Sequence, residues 1–268
     1  MNLQTSMKQY AVSVFIVCVF VLSVLVSFAP VGGDDQFLML AALIVPIPTL
    51  AALVLGALEG GIRSLWRDVF KRHTTLRWLL IGLGIALAAR LLTSVLALFA
   101  GAITTLAVGE VVVPLLIVTY LFALLEEIGW RGFAVRKLVT RQPPLAVLFI
   151  TGIPWSIIHI FFYLNQGADA TTLAQVFVAN FMLTVMVTWI YLRSGQNIWP
   201  AVILHGSQTL FSFLTSNIPT ELFGQYWVIS YSLIALALLV LDRRMWFARP
   251  VAEQVADAAP MTAWPIIP

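Results

Sequence analysis

The side chains that could do chemistry in this sequence lie within apolar stretches rather than between them: Arg90, Glu126, Glu127, Arg131, His159 and His205. An ionisable group at membrane depth costs about 3 kcal/mol or more, so each should face other protein groups or trapped water. A carboxyl group and two imidazoles are the groups that enzymes use most to move protons near neutral pH. Acid–base chemistry inside a membrane is therefore the first expectation.

The pair Glu126-Glu127 is the densest part of this set. Glu127 and Arg131 are four residues apart with the acid first, which predicts an ion pair on one face of a helix. Glu126 points about 100° away and has no basic residue three or four positions distant. We expect it to be either a general base or a buried, protonated and hydrogen-bonded carboxyl. Gly129 is expected to open space beside it, and Arg90 to pair with one of the two acids or to reach the interface.

The two histidines extend the set to other helices. The chain has three histidines. The remaining one, His73, lies in a basic loop, where we expect it to be exposed to solvent. His159 and His205 with Glu126 could hold a divalent metal such as Zn²⁺ with one position open. The same three groups could instead activate a water molecule without a metal, and the sequence leaves both alternatives open.

Composition determines what kind of fold positions these residues. Of the 268 residues, 61% are hydrophobic and 10% are charged, whereas a soluble domain carries roughly 25% charged residues. A membrane span needs about 20 apolar residues. The sequence predicts an all-α polytopic membrane helix bundle, a single transmembrane domain over 1–247 followed by a short cytoplasmic tail over 248–268. About eight transmembrane helices are predicted, at 10–29, 37–58, 77–98, 111–134, 145–163, 172–192, 198–216 and 225–242.

Basic residues orient the predicted bundle. Of the 15 Lys and Arg residues, all except Arg90 and Arg131 lie in the terminal segments or in every second loop, and therefore on one side of the membrane. Because basic residues favour the cytoplasmic side, both termini are predicted to lie in the cytoplasm. The opposite loops carry only acidic residues. The net charge of +3 is explained because the basic residues mark the cytoplasmic side and face anionic lipid there. Membrane lipids and not nucleic acids are therefore the expected partners. The absence of a transit signal fits a bacterial plasma membrane.

The polar residues form three short motifs in order along the chain: Glu126-Glu127-x-x-x-Arg131, Trp155-x-x-x-His159 and His205-x-x-x-Thr209. Their order and their placement on a multi-span protein resemble the CPBP family. This family contains the CAAX prenyl proteases and the Abi bacteriocin-processing proteases, which act within membranes. The resemblance covers residues from about 115 to 215.

The resemblance implies an all-helical intramembrane endopeptidase that acts on a membrane-associated or prenylated peptide or protein. It implies that Glu126 activates the attacking water. It implies that His159 and His205 polarise the carbonyl, stabilise the oxyanion or hold a metal, and that Glu127 and Arg131 shape and neutralise the site. It also implies a cavity that opens toward the cytoplasm.

Two positions depart from the family pattern. Trp155 stands where Phe is more common, and Thr209 stands where Asn or Asp is more common, with Gln208 as a conceivable substitute. The departure at Thr209 favours an alternative in which the chain is a non-catalytic member of the fold that binds a partner or confers immunity to a peptide toxin. A third alternative is a small transporter or proton relay, for which the sequence shows no matching repeats.

Overall fold

The computed structural model describes residues 3–30, 36–69, 75–106 and 108–250. The helices within these ranges are α1 (Leu3–Ser27), α2 (Gln36–Ile44), α3 (Ile47–Leu58), α4 (Ile62–Val69), α5 (Leu76–Phe99), α6 (Val113–Gly129), α7 (Arg136–Leu138), α8 (Pro144–Leu164), α9 (Ala170–Arg193), α10 (Ile198–Leu210), α11 (Thr220–Leu241) and α12 (Arg243–Trp246). A π-helical turn (Trp130–Val135) joins α6 to α7, and a 3₁₀ turn (Phe211–Thr215) follows α10. His73 and most of the predicted cytoplasmic tail lie outside the described residues.

Seven segments in the described part of the chain are long and apolar enough to cross a membrane: Tyr10–Ser27, Leu38–Leu58, Leu76–Phe99, Val113–Leu138, Pro144–Leu164, Ala170–Arg193 and Thr220–Leu241. They correspond to seven of the predicted spans. The second is divided into α2 and α3 at Val45–Pro46, as expected where a proline lacks the backbone N–H that a continuous helix needs. The prediction of an all-α integral membrane protein is confirmed.

The remaining predicted span, 198–216, contains α10 and the 3₁₀ turn that follows it. The 13 residues of α10 rise about 20 Å, and the 5 residues of the 3₁₀ turn add about 10 Å at their longer rise. The sum matches the roughly 30 Å of a bilayer core. At its far end, Phe213 O accepts a hydrogen bond from Gly109 N at 2.9 Å, and Asn217 Nδ2 donates to Thr105 O at 2.8 Å. This shorter element therefore reaches the same end of the bundle as the α5–α6 loop.

The alternating spans give the bundle two ends, which we call the basic end and the acidic end. At the basic end, Lys137 pairs with Glu59 and Arg193 pairs with Asp242. The basic end holds the ends of successive helices at residues 58 and 76, 138 and 144, 193 and 198, and 241. The acidic end holds the termini at 27–36, 99–113, 164–170 and 215–220, and Glu110, Asp169 and Glu221 lie there. The charge difference expected from the sequence is thus a difference between the two ends of one bundle.

Small residues bring the helices that carry the site close together. A Cβ atom on Gly129 would lie 2.5 Å from backbone and side-chain atoms of Pro48, so α6 and α3 touch at this glycine. Gly206 of α10 lies equally close to the ring of Tyr120 on α6. Close approach at small residues is the usual way for helices to associate within a bilayer. The expectation that Gly129 opens space beside Glu126 is wrong, because Pro48 fills that space.

Candidate active site

Trp155 lies at the centre of the candidate site. Its indole Nε1 donates a hydrogen bond to Glu126 Oε2 at 2.7 Å. Its ring centroid lies 4.5 Å from that of His159 and 5.6 Å from that of His205. Helices α6, α8 and α10 therefore bring the predicted carboxyl and both predicted imidazoles around one buried indole.

Glu127 faces away from Glu126 and connects an arginine with a histidine. Its side chain is fully buried, and Oε1 accepts hydrogen bonds from Arg131 Nη1 at 3.1 Å and from His205 Nδ1 at 2.9 Å. The predicted ion pair with Arg131 is present. The contact with His205 was not predicted, because a pattern within one helix cannot show which residue of another helix it meets.

The hydrogen bonds of the histidines determine which ring nitrogen remains for chemistry. His159 Nδ1 lies 2.8 Å from Trp155 O. A carbonyl oxygen can only accept, so Nδ1 carries the proton and, in the neutral ring, Nε2 is an acceptor. His205 is held in the same way by the carboxylate of Glu127. Both Nε2 atoms are thus the nitrogens available to water or substrate.

The fit of a divalent metal to these residues is partial. Metal-ligating histidines commonly donate the second ring N–H to a carbonyl or carboxylate, as both histidines do here. Within the described ranges, however, no group of three or more His, Cys, Asp or Glu residues lies close enough to hold a metal ion. Glu126, His159 and His205 do not form a complete ligand set, and the chemistry below uses only the chain's own groups.

A cavity of about 350 Å³ lies against these residues. Glu126, His159, His205 and Thr209 contribute the ionisable and hydroxyl groups of its inner wall, while most of the remaining wall is apolar. A mostly apolar pocket with a few converging polar groups is the usual form of a ligand or substrate site. Five of the predicted site residues therefore share one cavity, whereas Glu127 and Arg131 are buried behind its wall.

The cavity extends in the direction opposite to the one implied by the family resemblance. From Glu126 its lining follows α6 back to Leu115, and from Trp155 it follows α8 forward to Tyr163. Both paths lead to the acidic end, because α6 begins there and α8 ends there. Among the described residues, the cavity lining does not extend to the basic, predicted cytoplasmic end.

Arg90 does not pair with either glutamate in the described structure. Its Nε donates to Gln208 O at 2.9 Å, and its guanidinium lies 5.7 Å from the centroid of the Phe223 ring. Gln208 O is one of the last carbonyls of α10, which lack partners within their own helix. Gln208 accepts a further hydrogen bond from Tyr231 through its side chain. Gln208 therefore anchors the end of α10 and does not substitute for the missing Asn, whereas Thr209 lines the cavity.

Two features beside the glutamates were not predicted. The hydroxyl of Thr49 on α3 donates to Leu125 O, next to Glu126. The π-helical turn begins at Trp130, immediately after α6, and all of its residues are buried. Such turns are rare and often mark functional sites. No sequence pattern indicated the π turn.

Comparison with known proteins addresses the same region. Residues 107–211 match the family described as type II CAAX prenyl endopeptidase, Rce1-like. A CAAX prenyl protease 2 of Methanococcus maripaludis is 28% identical over 145 residues, which cover 51% of this chain and 53% of the relative. The resemblance to the CAAX prenyl protease family is confirmed. The Rce1-like segment includes all three motifs, and the chain spans about half the length of the relative it matches.

Proposed function

We propose that this protein is an intramembrane endopeptidase that hydrolyses a peptide bond in a membrane-associated or prenylated substrate. The observation that carries the proposal is the arrangement of Glu126, His159 and His205 around Trp155 on the wall of one cavity. The match to Rce1-like CAAX prenyl endopeptidases supports the same reaction class.

The first step is activation of water by Glu126. Trp155 holds Oε2, and Oε1 has no hydrogen-bond partner among the described residues, so Oε1 takes a proton from the attacking water. His159 orients this water through Nε2. The water oxygen bonds to the peptide carbon, and the electron pair of the carbonyl bond moves to the oxygen. A positioned base of this kind contributes about 10²–10⁴-fold in rate.

His205 and Glu127 stabilise the negative charge that develops on the carbonyl oxygen of the substrate. In its protonated form, His205 donates Nε2–H to the oxyanion, and the buried carboxylate of Glu127 holds the ring through Nδ1. Thr209 offers a hydroxyl donor on the same wall. Glu126 then passes its proton to the nitrogen of the leaving amine, and the carbon–nitrogen bond breaks. Arg131 keeps the buried carboxylate of Glu127 neutralised.

The apolar wall determines the class of substrate. Beyond its polar end, the cavity is lined mainly by aliphatic and aromatic side chains of α1, α2, α6 and α8, with the hydroxyls of Ser23 and Thr119 among them. An apolar surface of this kind accommodates an apolar chain and leaves few buried polar groups without partners. A lipid-modified cysteine or an apolar peptide segment fits it, with the cleaved bond at Glu126.

The proposal is tested with purified protein and a library of prenylated and unmodified peptides. We expect cleavage by the wild type and a loss of at least 100-fold in kcat/KM in Glu126→Gln, because an amide cannot accept the proton of water. Glu110→Gln is the matched control, since Glu110 is exposed at the acidic end and outside the cavity. Full activity in Glu126→Gln would refute the role of this carboxyl.

The non-catalytic alternative rests on Thr209, which stands in the cavity where the family more often has an amide or acid. It predicts that the wild type cleaves no peptide in the library, while wild type and Glu126→Gln bind a peptide partner equally well. Cleavage that depends on Glu126 contradicts it.

The metal dependence of the site is a separate measurement. A divalent ion at the two imidazoles would lower the pKa of bound water. If it is required, purified protein should contain about one Zn²⁺ per chain, and His159→Ala and His205→Ala should each lose it. Full peptidase activity in protein with less than about a tenth of an equivalent of metal would show that water activation by Glu126 suffices.

A further inference from the structure

Arg90 is a cationic side chain within a membrane span that the proposed mechanism does not use. Its Nε donates to Gln208 O, and its guanidinium lies over the ring of Phe223. Among the residues that the structure describes, Nη1 and Nη2 have no hydrogen-bond partner and Arg90 forms no ion pair. Charged groups at membrane depth usually pair with one another or with backbone carbonyls. The one carbonyl satisfies a single N–H and leaves the positive charge without a counter-ion.

A second unused donor lies on the helix beside Arg90. Phe223, Trp227 and Tyr231 follow one another at intervals of one turn on α11, and the ring of Trp227 contacts both neighbours, with centroids 5.7 and 5.6 Å apart. The indole Nε1 of Trp227 is buried near the Tyr231 hydroxyl but does not reach hydrogen-bond geometry. That hydroxyl donates to the side chain of Gln208. The region where α5, α10 and α11 meet therefore holds unused N–H groups on two side chains.

Arg90 lies next to the polar end of the cavity. The carbonyl that it holds, Gln208 O, belongs to the peptide bond directly before Thr209, and Thr209 lines the cavity. Tyr163, which also lines the cavity, lies within the electrostatic reach of Arg90. His205 is one helical turn before Thr209. An anion held by Arg90 would therefore sit close to the groups to which we assign the cleavage.

The depth of Arg90 decides which anion can reach it. On α5 it lies 14 positions after Leu76 and 9 positions before Phe99, which is about 21 Å and 13 Å from the two helix ends. Lipid phosphates lie outside the hydrocarbon core of roughly 30 Å, so both headgroup layers are distant. A peptide in the cavity always brings one anion, its C-terminal carboxylate. A planar guanidinium binds a carboxylate through two parallel N–H···O bonds.

We propose that Arg90 is a specificity-determining residue that binds the C-terminal carboxylate of the substrate. The inference rests on the proposed function for the identity of the ligand as a peptide. The anion site itself follows from the unpaired guanidinium and its depth. A site built to bind a polar group rejects an analogue that lacks the group. An amidated end, or an internal segment of a long chain, would leave the charge of Arg90 unpaired and bind weakly.

Binding of two matched peptides to purified Glu126→Gln protein tests the site without cleavage. The peptides are farnesylated, carry a fluorophore, and differ only in ending with a carboxylate or a carboxamide. By fluorescence anisotropy we expect the carboxylate peptide to bind about ten-fold more tightly or better. Adding Arg90→Gln should bring this preference to about one-fold by weakening the carboxylate peptide alone. Arg77→Gln is the matched control and should keep the full preference, since Arg77 also lies over a ring, that of Trp78 at 5.4 Å, but at the basic end.

A second variant covers the case in which Arg90→Gln binds neither peptide because it is unfolded. Arg90→Lys keeps the charge but loses the planar fork, and we expect it to reduce the preference about three-fold or more. Equal binding of both peptides by Glu126→Gln, or an undiminished preference in the Arg90 variants, would overturn the assignment. Equal binding together with thermal stabilisation by phosphatidylglycerol that disappears in Arg90→Gln would overturn it in favour of a lipid headgroup. A preference for the carboxylate without cleavage by the wild type would refute the proposed function and leave the anion site standing.

Discussion

At the scale of single residues, Trp155 links the three groups to which we assign the chemistry. It holds Glu126 through its indole N–H, holds His159 through its carbonyl oxygen, and contacts His205 through its ring. A phenylalanine, which is more common at this position in the family, could provide the ring contacts and the carbonyl but not the N–H. The departure from the family pattern therefore adds a hydrogen bond to the proposed base.

Trp155→Phe tests this contribution. A hydrogen bond to a charged group contributes about 1.5–3 kcal/mol, and part of this energy fixes Glu126 relative to the water. We expect kcat to fall about ten-fold with little change in KM, because the rest of the cavity wall is retained. Steady-state kinetics on a cleaved peptide measure both constants.

Trp189→Phe is the matched control for that experiment. Trp189 Nε1 donates to Asp242 Oδ2 at 2.8 Å, so this variant also loses an indole–carboxylate hydrogen bond, but at the basic end and away from the cavity. We expect unchanged kcat per folded molecule. An equal loss of kcat in both variants would show that Trp155 acts through general stability.

The sequence predicted residues that lie together in the candidate site but not how they contact one another. Glu126, His159 and His205 were identified because charged or titratable groups in apolar stretches are costly and few. The hydrogen bonds from Trp155 to Glu126 and from His205 to Glu127 join residues 29 and 78 positions apart. Such contacts depend on how helices rotate against one another, and no spacing within a single helix determines that rotation.

At the scale of helices, the contact between Gly129 and Pro48 fixes α6 against α3 directly beside the glutamate pair. Thr49 supports the same contact through its hydrogen bond to Leu125 O. Sequence hydropathy placed both helices within a few residues of their observed positions. It could not show that Gly129 is a contact residue, since a glycine next to a polar motif looks the same whether it faces a void or a neighbouring helix.

Gly129→Ala should damage the site through this contact. The added methyl group would meet Pro48 atoms at 2.5 Å, and because backbone atoms are among them, the helices must separate. Overpacking of this kind typically costs about 1–3 kcal/mol. We expect a lower unfolding temperature in detergent and a loss of peptidase activity of ten-fold or more.

Gly84→Ala provides the comparison, since a Cβ on Gly84 has no neighbour within 4 Å and alanine is the better helix former. This variant should unfold at or slightly above the temperature of the wild type and keep full activity. Unfolding of Gly129→Ala at the same temperature as Gly84→Ala would contradict the close contact.

At the scale of the whole molecule, the two ends of the bundle differ in how they are held together. The basic end is tied by ion pairs between helix termini, among them Arg193 with Asp242. The hydrogen bonds from Arg193 hold the pKa of Asp242 below its usual value. The sequence predicted the charge difference between the ends but not these pairings, because partners such as residues 193 and 242 are 49 positions apart.

The lowered pKa of Asp242 predicts a dependence of stability on pH. A carboxyl whose pKa is lower in the folded state stabilises the fold above its unfolded pKa, about 3.9, and this contribution disappears as the pH falls through the folded value. The unfolding temperature of the wild type should therefore fall below about pH 4, and the fall should be shallower in Asp242→Asn. Differential scanning fluorimetry across pH 2.5–7 measures it, and parallel curves would exclude the contribution of this pair.

The π-helical turn at Trp130–Val135 is consistent with the insertion of one residue during the evolution of this chain. A turn of this kind arises when one residue is added to a regular helix. Deleting one residue within Trp130–Val135 would restore an ordinary helix and leave Glu126 and Glu127 in their present register. It would also rotate Arg136 and Lys137 by about 100°, away from Ser64 and Glu59. An ancestral chain without this residue could thus have had the same glutamate pair above a differently connected basic end.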